Sequence, residues 1–376
     1  MKILILTHEF PPVGGGGGRV AQDVACGLAA RGFEIHVLTA HLAGLPREEQ
    51  RDGVRIQRVG AMRREAFRAS FAEMAEYNCA AVWAGLKIIR KWQPDVIHAH
   101  FAVPAGAAAL VLSKLTGVPY ILTTHLGDVP GASPEKTGQW FWWIYPFTPP
   151  IWRGAAKVVA VSEFTRQLAL KHYPVAINVI LNGLDLKTLP MRALLKIKGA
   201  APRIVFAGRF VEQKNPQHLV DALQQLTDLP WSCAMLGDGP LLESVRETVK
   251  TYGLDERISF TGWITPETVL NTFAQSDILV LPSRSEGLSV VGVQALGMGL
   301  ALVLSDAGGN HELVRNGENG FLFPSGDLDA LTSALRTLLS SRTMLQSAQA
   351  KSHERAQTFD LSIVIGQYEA LFREIR

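Results

Sequence analysis

One stretch of the sequence, residues 277–299, combines residue types that could bind a sugar nucleotide. Ile278–Leu281 is a short apolar run that predicts a buried strand, and the sequence from Leu288 onward predicts a helix. Glu286 lies in the turn between them, where its carboxylate could accept hydrogen bonds from sugar hydroxyls. Free backbone N–H groups at the start of the helix would favour a phosphate.

The same predicted helix carries Val290 and Gln294 on one face, because residues four apart are neighbours on a helix. A phosphate bound at the first turn would therefore have the Gln294 amide within reach of whatever the phosphate carries. The arrangement suits a diphosphate-linked ribose. The stretch alone also fits an ordinary strand–helix unit in which Glu286 only caps the helix. The choice between these two interpretations depends on the rest of the chain.

Length and composition limit the class of protein. The chain has 376 residues, of which 47% are hydrophobic and 19% charged, which indicates a globular protein of two or three domains. A net charge of +3, spread along the chain, gives no support to nucleic-acid binding. Three widely separated cysteines without a CxxC motif favour a reducing compartment.

Neither a secretory signal nor a membrane span is predicted. The N-terminal apolar run is too short for a signal peptide, and the longest apolar stretch, residues 101–112, is far below the roughly 20 residues that span a bilayer. We expect a cytoplasmic protein, with peripheral contact at the inner face of the membrane as the alternative.

The first half of the sequence begins as a βαβ unit. Lys2–Thr7 and Ile35–Thr39 predict strands, and five glycines, Gly14–Gly18, precede a helical pattern at Arg19–Ala30. This order predicts a parallel sheet whose glycine loop lets the backbone approach a ligand. A dinucleotide fingerprint would need glycine where Arg19 stands, which argues against a nicotinamide enzyme. A flexible loop without ligand contact is the alternative.

Two predicted strands of the first half end in histidine. Asp95–His100 would place His98 and His100 on the same face of the sheet. Tyr120–His125 ends at the carboxyl edge, where parallel sheets bind ligands, so His125 is the stronger site candidate. No histidine pair has metal-binding spacing with a third ligand.

Residues 138–152 form an aromatic segment. It contains four of the eight tryptophans: Trp140, Trp142, Trp143 and Trp152. We expect these to pack against the sheet. The alternative is an exposed patch for a lipid-linked acceptor or a membrane surface, with basic charge supplied by residues near the start of a helix predicted at 62–92. Those residues are Arg63, Arg64 and Arg68.

The second half repeats the strand–helix pattern after a predicted linker at residues 187–202. Its first strand ends in Gly208 and Arg209. Later strands are predicted at residues 231–236, 258–261, 278–281, 301–304 and 320–323. Gly308 and Gly309 lie in another loop at the carboxyl edge, where the backbone could approach a ligand.

Arg209 and Lys214 follow the first strand of this second sheet, at the same edge as Glu286. Two cations there could neutralise a leaving diphosphate, although each could equally be a solvated surface charge. The sequence Asp327-Leu328-Asp329 matches a DxD metal motif, but it follows a turn and predicts a helix cap. We therefore expect no metal cofactor.

Together these motifs resemble the retaining glycosyltransferases of family 4 over nearly the whole chain. The first half contributes PPVGGGGGRV, DVIHAH, the strand-end His125, VSEF at 161–164 and NGLD at 182–185. The second half contributes FAGRFVEQKN, LGDGPL, DILVLPSRSEGL, DAGGNHELV and NGENGFLF. The resemblance implies an α/β protein with the GT-B fold, in which two Rossmann-like domains face each other across a cleft and the C-terminal helix crosses back to the N-terminal domain.

The domain bounds that we expect are 1–187 for an acceptor-side domain, 188–356 for a nucleotide-sugar-binding domain and 357–376 for the returning helix. The resemblance further implies that His125 contacts the transferred sugar and that Glu286 holds it. Arg209 and Lys214 would stabilise the leaving nucleoside diphosphate without a metal.

The residues expected to bind the donor are Gly16, Gly17, Gly18, Gly208, Gly287, Leu288, Ser289, Val290, Val291 and Gln294. The family usually has a second glutamate, which binds the ribose, at the position of Gln294. An amide keeps one acceptor and adds a donor but loses the charge.

The implied activity is retaining, metal-independent transfer of a hexose from UDP-glucose or a similar UDP-hexose to a saccharide or lipid-linked acceptor, in polysaccharide or glycoconjugate synthesis. Two alternatives share the donor site: a GT-B nucleotide-sugar epimerase or hydrolase, and a non-catalytic nucleotide-sugar binding protein.

Overall fold

The structure of the protein is a computed structural model that describes residues 1–60, 62–66, 69–132, 143–190 and 201–375. The chain divides into two units, each built around one sheet. Unit 1 comprises Met1–Gly183 and Leu361–Arg376, and unit 2 comprises Leu184–Asp360. Most of the predicted linker, residues 191–200, lies outside the described residues.

Within the described residues the strands are β1 (Lys2–Leu6), β2 (Glu34–Ala40), β3 (Glu48–Arg51), β4 (Val54–Val59), β5 (Val96–His100), β6 (Tyr120–Thr124), β7 (Lys157–Ala160), β8 (Ile177–Val179), β9 (Arg203–Ala207), β10 (Ser232–Leu236), β11 (Ile258–Gly262), β12 (Ile278–Leu281), β13 (Ala301–Ser305) and β14 (Gly320–Phe323). The helices are α1 (Gly16–Ala30), α2 (Phe71–Trp92), α3 (Ala107–Thr116), α4 (Pro149–Arg153), α5 (Glu163–Leu170), α6 (Pro216–Gln224), α7 (Leu242–Thr251), α8 (Pro266–Ala274), α9 (Val290–Gly297), α10 (Asn310–Leu313), α11 (Leu328–Ser340), α12 (Arg342–Ala356) and α13 (Leu361–Arg373).

The sheet of unit 1 has the order β3-β4-β2-β1-β5-β6-β7-β8 and is parallel except for the β3–β4 pair. The antiparallel β3–β4 hairpin was missed by the sequence analysis, although VRIQRV in β4 alternates apolar and polar residues. Its pairing is reinforced by buried Arg58, whose guanidinium lies 2.7 Å from the Glu49 carboxylate. Apart from this hairpin, the prediction of a parallel Rossmann-like sheet is confirmed.

The sheet of unit 2 is parallel and has the order β11-β10-β9-β12-β13-β14. This is the doubly wound order, in which the direction of winding reverses between β9 and β12. Ligands bind parallel sheets at the carboxyl ends of the strands at such a reversal. In unit 1 the corresponding neighbours are β1 and β5. The segments that follow these four strands are therefore the ones best placed to form a site.

Helix α2 begins at Phe71, so the predicted start at residue 62 is wrong. Ser70 caps the helix: the Glu73 amide donates to the Ser70 hydroxyl at 3.3 Å, and the Ser70 amide donates to the Glu73 carboxylate at 2.6 Å. The sequence Ser-x-x-Glu is the signature of this capping box. The apolar periodicity upstream of Ser70 therefore does not mark the start of the helix.

Residues 62–66, upstream of α2, take a non-helical path held by Arg63. Its buried guanidinium donates to the carbonyl oxygens of His8, Glu65 and Ala66 at 2.9–3.0 Å. Arg63 therefore adds no charge to a basic surface, contrary to one of the alternatives drawn from the sequence. Arg68 lies outside the described residues.

The C-terminal helix α13 packs on unit 1, as predicted. Arg31 at the end of α1 forms an ion pair with Glu369 at 2.9 Å. Ile365 lies so close to Gly27 that a Cβ there would stand 2.5 Å from the Ile365 side chain. Tyr368 is fully buried against the sheet.

The aromatic segment is divided between core and surface. Trp152 is buried and stacks on Tyr173 at 4.2 Å, as expected for packing against the sheet. Trp143 and Phe147 are 81% and 75% exposed, so the expectation of packing was wrong for Trp143. Trp140 and Trp142 lie outside the described residues.

In the part of the chain that the structure describes, every helix is too short or too polar to traverse a bilayer. The three cysteines form no disulfide.

Buried neutral histidines should make unit 1 sensitive to acid. Burial lowers the pKa of His8, His36 and His125 from 6.5 to about 4. Below pH 6.5 these histidines bind protons in the unfolded chain but stay neutral in the folded chain. Their contribution to stability is therefore complete above pH 6.5 and is lost as the pH falls toward 4. Each such histidine should cost about 1 kcal/mol between pH 7.5 and 5.5.

His36 tests this expectation because it lies on β2, away from the candidate site. Between pH 7.5 and 5.5, the free energy of unfolding of His36→Leu should fall by about 1 kcal/mol less than that of the wild type. Urea unfolding at both pH values, followed by circular dichroism, measures the difference. An equal loss in the two proteins would contradict the assignment.

Candidate active site

The core of the candidate site in unit 2 is a buried ion pair. Glu286, in the loop after β12, is only 5% exposed. Its Oε1 atom accepts hydrogen bonds from Lys214 Nζ at 2.5 Å and from the Ser283 hydroxyl at 2.6 Å. The structure thus brings together two residues that the sequence predicted for separate roles, and it adds Ser283, which the sequence analysis missed.

The pair joins the two loops at the point where winding reverses. Lys214 ends the loop after β9, and the neighbouring Gln213 donates its side-chain amide to the Ser285 carbonyl at 2.9 Å. The Arg284 amide in turn donates to the Gln213 carbonyl at 2.8 Å. These bonds hold the lysine and the carboxylate in one fixed arrangement at the carboxyl edge.

Arg209 lies at the same edge and is exposed. Its guanidinium has no hydrogen-bond partner within the described ranges. The backbone on both sides of it is fixed, because the Gly208 amide donates to the Leu236 carbonyl and the Phe210 amide to the Asp238 carbonyl, each at 2.9 Å. Arg209 is therefore an exposed cation on a hydrogen-bonded stretch of backbone, available to an anion.

Helix α9 begins at Val290, two residues later than predicted. Ser289 is its cap, and the Ser289 hydroxyl oxygen accepts a hydrogen bond from the Gly292 amide at 3.2 Å. Val290 and Val291 supply first-turn amides, and Gln294, half-buried, lies one turn further along. Leu288 is buried and can offer a ligand only its backbone.

A glycine lets the loop after β13 close onto Glu286. Gly308 has φ +61°, and a Cβ added there would stand 1.7 Å from the Glu286 carbonyl oxygen. Neither the conformation nor the space tolerates another residue. The neighbouring Gly309 makes a similar approach to Gly287, and its amide donates to the Glu286 carbonyl at 3.2 Å.

In unit 1 the glycine loop meets His125. Helix α1 begins at Gly16, so three of the five glycines lie in its first turn, and the start predicted at Arg19 was three residues late. A Cβ on Gly17 would stand 2.4 Å from the Phe101 ring and 3.5 Å from the His125 ring. Gly16 is exposed, whereas Gly18 packs against the Glu9 backbone.

His125 is held from both its backbone and its ring. Its amide donates to the Asp128 carboxylate at 2.8 Å, and its ring lies 4.5 Å from that of Phe101. Its Nε2 lies 3.3 Å from His100 Nδ1. Burial lowers the His125 pKa to about 4, partly offset by the Glu9 carboxylate, so the imidazole is neutral near pH 7. It is therefore suited to hydrogen bonding rather than to charge stabilisation.

The other strand-end histidines lie in the interior. His98 and His100 are fully buried with rings 4.3 Å apart, as alternation along β5 predicts. His98 Nε2 bonds the Thr123 hydroxyl at 2.8 Å. Neither residue reaches solvent, so neither can contact a substrate directly.

Sequence reasoning missed two carboxylates beside His125. Glu9, three residues after the end of β1, accepts a hydrogen bond from the Gly15 amide at 3.0 Å and so holds the glycine loop. Asp128 is 4% exposed, and burial raises its pKa to about 7. An acidic residue three positions after the end of a strand often caps the turn that follows, so the spacing of His125 and Asp128 could have identified Asp128 from the sequence. Across the described ranges, no three His, Cys, Asp or Glu side chains are grouped to hold a metal ion.

Comparison with known proteins connects these two sites to a family. Residues 14–188 match the family model described as Glycosyltransferase Family 4, and residues 201–341 match Glycosyl transferases group 1. The glycogen synthase of Mycobacterium tuberculosis is 26% identical over 387 aligned residues, covering 97% of this chain and 92% of the relative.

Solved structures share the fold. Sucrose-phosphate synthase from Thermosynechococcus elongatus matches with a TM-score of 0.88 at 22% identity, covering 100% of this chain and 98% of the other. Anabaena HepE, solved in complex with UDP and glucose, matches with a TM-score of 0.77 at 21% identity over the whole of both chains. The chain therefore belongs to the group 1 glycosyltransferases of family 4, retaining enzymes with the GT-B fold that transfer a sugar from a nucleotide-sugar donor.

Proposed function

We propose that this enzyme transfers a hexose from UDP-glucose or a similar UDP-hexose to a saccharide or lipid-linked acceptor, with retention of configuration and without a metal cofactor. The observation that carries the proposal is the Lys214–Glu286 pair, which lies at the winding reversal of unit 2 beside an exposed arginine and a helix N-terminus. The complex of HepE with UDP and glucose supports the choice of donor.

The cations of unit 2 suit a diphosphate leaving group. Arg209 is exposed and can turn toward an anion, while Lys214 is held beside Glu286 with its side chain 18% exposed. Together with the first-turn amides of Val290 and Val291, they would stabilise the negative charge that grows as the glycosidic bond to phosphate breaks. Positive side chains and backbone amides would thus do the work that a divalent cation does elsewhere.

Glu286 is oriented to hold the sugar. Lys214 and Ser283 both bind Oε1, and in the described part of the chain Oε2 has no hydrogen-bond partner. We propose that Oε2 accepts hydrogen bonds from hydroxyls of the hexose. Because the ion pair fixes the plane of the carboxylate, only a hexose with hydroxyls at matching positions can bond to Oε2. Glu286 would thus help to select the donor. Gln294, one turn into α9, would bond the ribose through its amide.

The reaction that fits these groups proceeds on one face of the sugar. The bond from the anomeric carbon to the diphosphate oxygen breaks, and the acceptor oxygen bonds to that carbon from the side that the diphosphate leaves. The acceptor proton passes to the departing phosphate, so no protein base is required. We propose that the neutral His125 ring contacts the transferred sugar and that Gly16, Gly17 and Gly18 contact the donor.

Replacing Lys214 tests the role of the ion pair. We expect Lys214→Met to lower kcat/KM by about 100- to 1000-fold, because a cation that stabilises the leaving group is lost. Arg284→Ala is the matched control: Arg284 lies in the same pair of loops but forms an exposed ion pair with Glu212. Its kcat/KM should stay within about twofold of wild type.

Lys214→Met also leaves a buried carboxylate with one partner fewer, so its folding must be checked by circular dichroism. Glu286→Gln keeps the shape without the charge and should lose activity while remaining folded. Wild-type turnover in both variants would refute the site assignment. Rapid, complete consumption of UDP-glucose without any acceptor would instead indicate a hydrolase or epimerase.

Donor identity can be read from thermal shifts. A ligand that binds only the folded protein at 100 times its Kd stabilises it by about 2.7 kcal/mol. Among UDP-, GDP- and ADP-linked hexoses, we expect UDP-glucose or a related UDP-hexose to raise Tm most. A larger shift with a GDP- or ADP-sugar would contradict the proposed donor.

Gly308 provides a test of loop closure on Glu286. Gly308→Ala must push the Glu286 carbonyl away, and we expect about tenfold weaker UDP-glucose binding by calorimetry. Gly317→Ala is the control, because Gly317 also has positive φ, at +80°, but has open space around it. Equal affinity in the two variants would show that the close approach is not needed for binding.

A further inference from the structure

We propose that the outer face of α2, together with the adjoining end of α3, is a docking surface for a membrane that contains anionic phospholipids. The surface, called the α2–α3 face below, consists of an exposed row along α2 and three exposed residues of α3, Val111, Lys114 and Leu115. All of them belong to unit 1. The inference goes beyond the proposed sugar transfer and does not depend on the identity of the donor or the acceptor.

The solvent side of α2 is apolar over most of its length. Residues four apart on a helix form one row, and every member of the row that starts at Phe71 is exposed: Phe71, Ala75, Cys79, Trp83, Lys87 and Lys91. The opposite side of α2 already packs in the core of unit 1 through Tyr77, Ala81, Ala84 and Ile88. A surface helix normally presents polar residues to water, so four successive apolar positions in the outer row indicate a surface that binds a partner.

Helix α3 extends this apolar area. It packs on α2 at Gly85, where an added Cβ would stand 2.6 Å from the Leu112 side chain. Val111 precedes Leu112, and Leu115 lies one turn beyond it on the same side of α3. Val111 and Leu115 are 42% and 63% exposed, and Trp83 is 65% exposed. Because the two helices touch, their exposed apolar side chains lie on one side of unit 1.

The charges on the α2–α3 face are all positive. Residues 77–94 and 101–127 include no Asp or Glu. They include four exposed cations: Lys87, Arg90, Lys91 and Lys114. Lys87 Nζ lies 3.2 Å from the centroid of the Trp83 ring, and within the described ranges no ion pair joins any of the four to a carboxylate. Since the net charge of the whole chain is only +3, this is a local concentration of positive charge.

An anionic bilayer fits this combination of groups. Tryptophan prefers the membrane–water interface, and lysine and arginine attract anionic headgroups at the same depth. A second copy of the chain fits less well, because a symmetric contact would bring the same unneutralised cations toward each other. A nucleic acid would bind the cations but would leave Val111 and Leu115 in water. The apolar and the positive side chains are used together only at a lipid surface.

Vesicle sedimentation tests the α2–α3 face. We expect the protein to bind vesicles of phosphatidylcholine mixed with phosphatidylglycerol and not vesicles of phosphatidylcholine alone. The combined substitution Lys87→Gln, Arg90→Gln and Lys91→Gln should weaken binding about 100-fold, since each cation near an anionic surface contributes about fivefold. Trp83→Ala should weaken it about tenfold, because less apolar area enters the interface.

Matched controls separate this face from general charge and exposure. The combined substitution Arg246→Gln, Lys250→Gln and Lys351→Gln removes the same charge from exposed positions of unit 2. Trp143→Ala is the control for Trp83, since Trp143 is 81% exposed in the aromatic segment. Both controls should bind vesicles as the wild type does. UDP-glucose should shift the Tm of every variant as it shifts that of the wild type, which keeps docking separate from donor binding.

Cys79 provides a second measurement, because it is the exposed cysteine and lies within the row. The emission of a polarity-sensitive fluorophore on Cys79 should shift to the blue with the mixed vesicles. Equal binding to both kinds of vesicle, wild-type binding by the folded α2 triple variant, or an equal loss in the unit 2 control would overturn the proposal. A dimer in solution that Trp83→Ala dissociates, or tighter binding to a nucleic acid than to the vesicles, would assign the face to that partner and refute membrane docking.

Discussion

The organisation of unit 2 depends on pairing one buried carboxylate. An ionised carboxyl group in a protein interior is costly unless a cation and hydrogen-bond donors surround it. Glu286 meets both conditions through Lys214 and Ser283, which arrive from loops on either side of the winding reversal. Removing Lys214 would leave a buried charge uncompensated, so the pair constrains the loops as much as it prepares a ligand site.

Close backbone approach supplies the second constraint. The loop after β13 reaches Glu286 only because Gly308 has no side chain, and a hydrogen bond from the Gly309 amide to the Glu286 carbonyl completes the contact. The carboxylate is therefore fixed through its side chain and its main chain. Such double fixation is what preorganised electrostatic catalysis requires, since a group that must reorganise stabilises a transition state less.

The two units differ in the charge of the side chains at the carboxyl edges of their sheets. Unit 2 presents charge, with Arg209 exposed beside the Lys214–Glu286 pair. Unit 1 presents a neutral imidazole, because burial keeps His125 uncharged. A neutral ring cannot compete with the cations for the diphosphate, but it can direct a hydrogen bond to an uncharged sugar. This division matches the two chemical parts of a nucleotide sugar.

Periodicity and turn chemistry in the sequence were enough to determine most strands, because apolar runs such as Ile278–Leu281 are too short for a typical helix and end at a turn residue. They also placed the candidate residues at strand ends. Helix starts were less accurate: α2 begins at the Ser70 cap, and α1 extends back into the glycines, because local capping and close packing override apolar periodicity. The β3–β4 hairpin escaped notice although its alternation was visible.

Which residues meet was decided only by the tertiary structure. Lys214 and Glu286 are 72 residues apart in the chain, and no local pattern indicates that they form one ion pair. His100 and His125 are likewise joined only because β5 and β6 are neighbours in the sheet. Sequence alone determined that a carboxylate, cations and a histidine stand at strand ends with the chemistry of a sugar-nucleotide enzyme. Strand order and burial then decided their partners and the charge state of the histidine, since both depend on neighbours that are distant along the chain.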